Sequence, residues 1–520
     1  MATTPSRRGF LQASAAAGVA GTLALPASSY AKVIGANGKL NLGFIGTGGR
    51  AQQHIDVALQ MKEQGKPVEP FAVCDVWDGD FTKGMDRKTK TAKGQGLYPA
   101  AKRCGIDRDD KKRVTKDYRV ILDNPDVDAV CIATPDHWHA RQAIDALDKG
   151  KHVYCEKPMT KTIAEAQAVV DAWTKSGKVM TVGVQSMADP TWGTAYDQIK
   201  SGRIGHVLQA QTRYFRNSDV GQWRYYSLTK DMNPKTIDWG MFLGHEFDVN
   251  GVKLGPTPAE QPFDRAVFGQ WRCYWPFGGG MFTDLFVHQV THLITAMGVR
   301  YPRRVVGGGG LYMEYDTRDV PDVATIVADY DEGCQLIVTA TMVNSHDIEE
   351  CIRGKLATVV FKGGGDMVKG FDIIDEEVSQ AARGPGQGGK GKTEKFETKT
   401  PELGDNMTYN LWANFVEAVQ ATKPEMSFST PALGAAAFTT VNMGVQSYRN
   451  GKAYFWDKAQ RKHVDADASW ATAGEKRSKE RGKPNQVIGW QGGDRGSVLV
   501  PPDYQKLAGP WVDGKDPAGE

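Results

Sequence analysis

The sequence contains no CxxC pair, no long run of large apolar side chains and no strong excess of charge of either sign, and each absence closes off a class of protein. Its seven cysteines (Cys74, Cys104, Cys131, Cys155, Cys273, Cys334, Cys351) are odd in number and widely spaced, so neither a zinc ribbon nor a dithiol redox pair is expected. Most sit inside apolar runs and read as small buried hydrophobes. No HExxH or comparable carboxylate pattern accompanies the histidines, so no metal centre is expected. A formal charge of +3 over 520 residues, with no basic run, leaves no footprint for nucleic acid. No internal repeat organises the chain. What is present is an ordinary globular composition, 40% hydrophobic, enough for a sizeable core shared between two domains and their appendages.

The start reads Ser6-Arg7-Arg8-Gly9-Phe10-Leu11-Gln12, then an Ala/Gly-rich run from Ala13 to Leu25 and a small-residue site at Ser29-Tyr30-Ala31. This resembles a twin-arginine export signal. The run is too short and too poor in large side chains to anchor the chain in a bilayer. Cleavage near Ala31 is therefore expected, with residues 1–31 as the signal, the twin-arginine machinery as partner, and a periplasmic or otherwise exported mature protein. Loss of Arg7 and Arg8 lowers the formal charge from +3 to +1.

Leu40 to Gly46 (LNLGFIG) is a short apolar run ending in glycine, followed by a helical pattern containing Ile55, Val57, Ala58 and Leu59. The turn between them, Gly46-Thr47-Gly48-Gly49-Arg50-Ala51, matches G-x-G-x-x-A. The first glycine permits the turn, the second lets backbone approach a pyrophosphate, and Ala51 allows close packing of helix on strand. Backbone N–H groups at the positive helix end would receive the phosphate charge. A second strand, Phe71 to Cys74, ends in Asp75, whose carboxylate suits the two ribose hydroxyls of an adenosine and repels a 2′-phosphate. NAD is thus favoured over NADP. Asp75 follows Gly46 by 29 residues, more than the usual ~20, which a longer first helix and a loop from Gln64 to Pro70 account for.

Further strands are expected at Val127 to Thr134 and Val179 to Val184, the latter ending at Gln185. Helices are expected at Ala140 to Leu147 and Ile163 to Ser176, with Pro135-Asp136-His137-Trp138-His139 leading into the first. Between them lies KHVYCEKP, Lys151 to Pro158. Gly150 and Pro158 bound the apolar Val153, Tyr154 and Cys155, which favours a short buried strand delivering Glu156 and Lys157 to its end. In an open parallel sheet the ligand crevice lies outside the carboxyl ends of the strands, so Lys157 would face cofactor and substrate.

The segments GFIGTGGRA, CIATPDHWHA, KHVYCEKPMT and GGGMFTDLFVH resemble, in order and spacing over Leu40 to Gly451, the Gfo/Idh/MocA oxidoreductases, the family of glucose-fructose oxidoreductase and inositol dehydrogenase. The resemblance implies an α/β fold: an N-terminal Rossmann parallel sheet (38–186) and a C-terminal α/β domain (187–451) with an open, mainly antiparallel sheet. It implies NAD(P) and a sugar or cyclitol substrate. It places Gly46, Thr47, Gly48, Gly49, Arg50 and Asp75 around the nucleotide, with Thr134, Pro135, His139, Glu156, Lys157 and Gln185 completing that site. Two late helices, Asn406 to Ala421 and Pro431 to Tyr448, are expected to return to the Rossmann domain. A homo-oligomer built through the open sheet is also implied.

In the second half, β-rich runs at His206 to Asn217, Ala324 to Tyr330, Cys334 to Val343 and Ala357 to Phe361 suggest successive antiparallel strands. The aromatic-rich stretch Tyr225 to Trp275 reads as loops and short helices near the substrate. Met281 to Met297 reads as a helix with Asp284, His288 and His292 at i, i+4 and i+8, near one face. Gly384 to Lys392 is a flexible loop by composition, and the tail 452–520 is polar and without strong periodicity.

By the resemblance, Asp284 and His288 belong to a DxxxH motif, with His288 beside the reacting hydroxyl. Oxidising a carbinol requires removal of the hydroxyl proton, and His titrates near working pH. Lys157 would hold the same hydroxyl, stabilise developing alkoxide charge or share the proton transfer, and Asp284 would orient these groups or contact the sugar. Free nicotinamide cofactor is expected to be scarce outside the cytoplasm, so tight retention is expected. Two alternatives accompany the dehydrogenase reading. One is a redox-neutral NAD-dependent glycosidase, whose Tyr/His and Trp/His signatures are partly echoed by Trp138 and His139. The other is a non-catalytic sugar or nucleotide sensor.

Overall fold

The computed structural model describes residues 38–84, 92–244, 248–249, 252–253, 258–364, 367–376, 391–398, 407–465 and 469–480. The expected export signal, residues 384–390 of the glycine-rich loop and residues 481–520 of the tail lie outside the described residues.

The first half is a six-stranded parallel sheet. Its strands are β1 (Leu40–Ile45), β2 (Val68–Cys74), β3 (Val114–Thr115), β4 (Ala129–Ile132), β5 (His152–Glu156) and β6 (Met180–Gly183), in the order β3-β2-β1-β4-β5-β6. The inner strands are near-continuous apolar runs because both faces are covered: all four residues of β4 and of β6 are buried. The strand order reverses between β1 and β4, which opens a crevice above their carboxyl ends.

Helices Gly49–Glu63, Asp136–Asp148 and Ile163–Ser176 run between these strands. The third shows how local sequence sets a boundary. The Thr162 hydroxyl accepts from Glu165 N at 3.2 Å, the Glu165 carboxylate accepts from Thr162 N at 2.8 Å, and Gly177 ends the helix at φ +62°.

Two sequence expectations change here. β2 begins at Val68, inside the segment expected to be a loop to Pro70. Pro70 is tolerated because it lies at a register shift, where β1 slips against β2 between Leu42 and Gly43. The Asp136-His137-Trp138-His139 run does not precede a helix but forms its first turn, since Pro135 at φ −62° and acidic Asp136 favour a helix start there.

The second half is an eleven-stranded sheet. Its path runs through 393–396, 367–375, 357–364, 351–354, 207–217, 335–341, 323–329, 304–310, 454–457 and 462–465, with 343–344 paired beside 207–217. All pairs are antiparallel except 207–217 with 335–341. The last two strands and the helix Ser469–Glu480 fall in the tail that lacked periodicity; strands of four residues are too short to carry a period. The expected helix over 281–297 is present, but Phe282–Phe286 is a π-helical turn and only Val287–Met297 is α-helical.

Helix Met407–Ala421 packs on helix Gly49–Glu63 and on β6, and helix Pro431–Asn450 on helix Ile163–Ser176 and on strand Arg304–Gly310. The last contact is backbone on backbone: a Cβ at Gly307 would lie 2.1 Å from the Gly444 carbonyl oxygen. Gly307→Ala is therefore expected to lower stability by about 1–3 kcal/mol, read as a lower urea midpoint. Gly308→Ala, whose Cβ meets nothing within 4 Å, should leave it nearly unchanged.

Candidate active site

A cleft of about 1320 Å³ lies above the β1/β4 switch point and is closed on its far side by the second domain. The glycine turn forms its floor. Gly46, at φ +80°, sits so close to the exit of β4 that a Cβ would meet Thr134 N at 2.8 Å, whereas a Cβ at Gly48 would meet nothing within 4 Å. The turn is thus packed below and open above. Gly48 caps helix Gly49–Glu63, and no side chain caps that helix and no acid lies in its first turn. Its N–H groups and positive end are left for an anion, so these residues fit the pyrophosphate of a dinucleotide.

Gly49, Arg50, Asp75, Thr134, Pro135 and Gln185 border the same cleft. Thr47 does not: it is fully buried, and its N–H (2.6 Å) and hydroxyl (3.1 Å) both donate to Asp75 Oδ2. Asp75 Oδ1 accepts from Trp77 N at 2.9 Å. Burial raises the Asp75 pKa, with the Trp77 and Thr47 hydrogen bonds pulling the other way. The turn and the acidic strand end therefore hold each other in place.

Glu156 and Lys157, adjacent in sequence, point to different tasks. Glu156 is buried and accepts from Arg50 Nε (2.7 Å) and His54 Nε2 (2.9 Å). Trp412 Nε1 donates to His54 Nδ1 at 2.9 Å, so His54 carries its proton on Nε2 and the chain Trp412–His54–Glu156–Arg50 has a donor and an acceptor at every step. Burial opposes ionisation of Glu156, but the Arg50 charge and the His54 hydrogen bond outweigh it and hold the carboxyl well below its usual range.

Lys157 crosses the domain boundary. Its Nζ donates to Asp284 Oδ1 at 2.7 Å and to the Asp284 carbonyl at 2.9 Å. Arg272 Nε donates to the same Oδ1 at 3.0 Å and Trp223 Nε1 to Oδ2 at 3.1 Å. Burial would raise the Asp284 pKa; the charges of Lys157 and Arg272 overcome this and keep it far below the carboxylate range. His288, one turn on and 4% exposed, borders the same cleft. His292 does not join it. It stacks on Trp192 at 3.9 Å and bonds Glu350 at 2.8 Å, because the π-helical turn is followed by α-helix and the eighth residue rotates into the core.

Trp138 and His139 serve as braces. Trp138 Nε1 donates to the Phe242 carbonyl at 3.0 Å, and the His139 ring nitrogens lie 2.6 Å from Pro158 O and 2.8 Å from Thr134 O, joining the two turns that follow β4 and β5. Arg272 and Trp223 were not singled out in the sequence; Arg272 lies inside the aromatic stretch Tyr225 to Trp275, and Trp223 falls two residues before it. Asp136 was likewise passed over. It is buried, lines the cleft and accepts from the Thr283 hydroxyl at 3.1 Å. All seven cysteines are buried and unpaired, and among the described residues no three His, Cys, Asp or Glu side chains converge as a metal site.

This arrangement defines a two-domain protein with a dinucleotide cradle in one half and a charged, aromatic wall in the other. Residues 40–184 match the family profile described as an oxidoreductase family with NAD-binding Rossmann fold, Gfo/Idh/MocA, and residues 256–360 match the C-terminal domain of that family. Residues 40–184 and 256–360 are thus similar to the two domains of that family, in the family's order. Among curated relatives, levoglucosan dehydrogenase of Pseudarthrobacter phenanthrenivorans is 33% identical over 237 residues, covering 43% of this chain and 56% of the relative. An alpha-N-acetylgalactosaminidase of Shewanella oneidensis is 27% identical over 204 residues, covering 37% and 40%. The chain thus spans about half the length of these relatives. Among solved structures, a levoglucosan dehydrogenase in complex with NADH covers 82% of this chain and 99% of its own, with 19% identity and a TM-score of 0.54. The aldose-aldose oxidoreductase from Caulobacter crescentus complexed with glycerol covers 80% and 99%, with 16% identity and a TM-score of 0.54. At these identities the structures show a shared fold.

Burial pushes the Asp136 carboxyl up to about 7. The folded state then holds a proton that the unfolded chain releases near pH 4, so this group's contribution to stability is full below that pH and is lost as pH rises through 7. Asp136→Asn is expected to flatten that loss. Urea midpoints at pH 5 and pH 8 should separate wild type from variant by at least about 1 kcal/mol, the value of one pKa unit.

Proposed function

We propose that this chain is an exported, NAD-dependent oxidoreductase acting on one carbinol of a sugar, glycoside or cyclitol. The observation that carries the reading is the Lys157–Asp284 contact at 2.7 Å, with His288 on the same wall, facing the cleft whose floor is the glycine turn. Bound NAD would supply the hydride acceptor. The chain's own residues handle the other half of the oxidation, the hydroxyl proton and the charge left on oxygen. Asp284 holds Lys157 as a cation at the cleft wall, where its N–H groups suit an alkoxide. Lys157, already protonated, hydrogen-bonds the oxygen, and the proton goes to the His288 imidazole, histidine being the side chain whose ordinary pKa lies nearest neutral.

The choice of NAD over NADP rests on Asp75, an acidic strand end fixed by Thr47 and Trp77, which would face a 2′-phosphate with like charge. Export rests on the Ser6-Arg7-Arg8 segment with its small-residue run, and it implies a cofactor retained through the cycle. Assembly through the open sheet accords with the half-buried alternate residues on the outer face of strands 323–329 and 335–341. A second reading, hydrolysis by transient oxidation, elimination, hydration and reduction, is favoured by the similarity to an alpha-N-acetylgalactosaminidase. Against it, Trp138 and His139 are engaged as braces.

Lys157→Met and His288→Ala are expected to lower turnover by 10²-fold or more while the NAD(H) released on denaturation stays at the wild-type level. Full activity in either variant sinks the site assignment. In the same assay on glycosides, free sugar without accumulation of NADH would select the hydrolytic reading. Asp75→Ala is expected to raise the NADP to NAD ratio of kcat/KM, measured with both nucleotides at one sugar concentration; an unchanged ratio removes Asp75 from cofactor selection.

A further inference from the structure

Strand 207–217 carries two arginines with opposite fates. Side chains alternate across a strand, so Arg213 and Arg216 face opposite sides. Arg213 turns into the protein, where Asp347 Oδ2 accepts at 2.7 Å and Glu350 Oε2 at 3.1 Å, and its charge is neutralised. Arg216 turns to the cleft with Tyr214, two residues before it. Its guanidinium donates to the Tyr214 hydroxyl and lies 4.5 Å from that ring's centroid. Among the described residues no carboxylate forms an ion pair with Arg216.

The ionised acid that supports this charge, Asp284, does so through space and not by an ion pair. Asp284 faces the same wall, but its Oδ1 is already shared by Lys157 and Arg272 and its Oδ2 by Trp223. Three cations, Lys157, Arg272 and Arg216, therefore line the substrate side of the cleft, facing the committed Asp284 and the buried Asp136 carboxyl. Arg50 does not add to the imbalance, since Glu156 answers it on the nucleotide side. Tyr225 and Tyr226, 4.8 Å apart, border the cleft beside this arginine and supply apolar surface for a sugar ring. A guanidinium in a partly desolvated wall is stabilised when a bidentate oxyanion meets its fork.

Resting on the oxidoreductase reading for the identity of the cleft, we propose that the substrate is an acidic sugar, and that Arg216 receives its carboxylate or phosphate oxyanion while the reacting carbinol lies at Lys157. Arg216 is then a specificity residue that acts on binding and takes no part in moving the proton. A uronic acid and a sugar phosphate share this chemistry and differ in charge and in the position of the oxyanion.

The test is calorimetric titration of the purified full chain, with its bound nucleotide, using glucuronate, glucose 6-phosphate and glucose as probes. Wild type is expected to bind at least one of the two acidic probes tenfold or more tighter than glucose. Glucuronate as the tighter probe assigns a carboxylate, and glucose 6-phosphate a phosphate. Arg216→Met should bring the tighter acidic probe to the level of glucose while leaving glucose binding and nucleotide content unchanged. Arg216→Lys, which keeps the charge and loses the fork, should retain part of the preference. Glucose binding as well as both acids, an undiminished preference in Arg216→Met, or no binding of either acid overturns the proposal. Acid binding without hydride transfer would leave this inference standing and count against the oxidoreductase reading.

Discussion

One ion pair joins the two halves of the molecule at the point where chemistry would occur. Lys157 stands at the carboxyl end of β5, and Asp284 belongs to the π-helical turn of the second domain; they meet at 2.7 Å with side chains only 12% and 13% exposed. Removing one partner of such a pair leaves a buried charge unanswered, a cost of about 3–5 kcal/mol. The pair is not alone, since Arg272 and Trp223 saturate the carboxylate from the second domain's side. Asp284 is thereby fixed as an anion and Lys157 as its cation. The position of a charged nitrogen at the cleft wall follows from the packing of one domain on the other.

A second network secures the nucleotide side by the same logic. Glu156 neutralises Arg50, takes a hydrogen bond from His54, and through His54 reaches Trp412 on a helix more than 350 residues along the chain. Trp412 also stacks on Tyr154 with ring centroids 4.4 Å apart. The returning helix thus does more than cover apolar surface. It sets the histidine tautomer that supports the acid beneath the glycine turn. Glu156 and Lys157, neighbours in sequence, are handed to opposite sides of the cleft because successive residues of an extended chain point opposite ways.

Much of this was legible before any tertiary contact was known. The parallel sheet announced itself through short apolar runs ending in Gly46, Asp75 and Glu156, since strands buried on both faces cannot alternate. The mainly antiparallel second sheet was visible as β-rich runs broken by Gly, Asp and Asn. Less legible were features that depend on one residue of phase or on distant partners. The helix start at Asp136 was obscured by a His- and Trp-rich segment that reads as a turn. The π-helical turn at Phe282–Phe286 has no periodicity of its own over five residues, so Asp284, His288 and His292 read as one face when only the first two share the cleft. Strands Tyr454–Asp457 and Lys462–Asp465 were invisible because four residues carry no period and the sheet edge they extend lies 150 residues earlier.

By itself the sequence determined the elements whose causes are local: the glycine turn, the strand ends carrying Asp75 and Lys157, the capped helix after Thr162, and the fold class these imply. Which charges face one another was decided by tertiary structure alone. Arg213 and Arg216 are chemically identical and three residues apart, yet one is neutralised in the core and the other is presented to the cleft. Arg272 reaches Asp284 from a three-residue 3-10 turn, Trp271–Cys273, that carries no motif. Coulomb interactions and hydrogen bonds act over a few ångströms of space with no regard to separation along the chain, so the electrostatics of the site exist only once the two domains have been packed together.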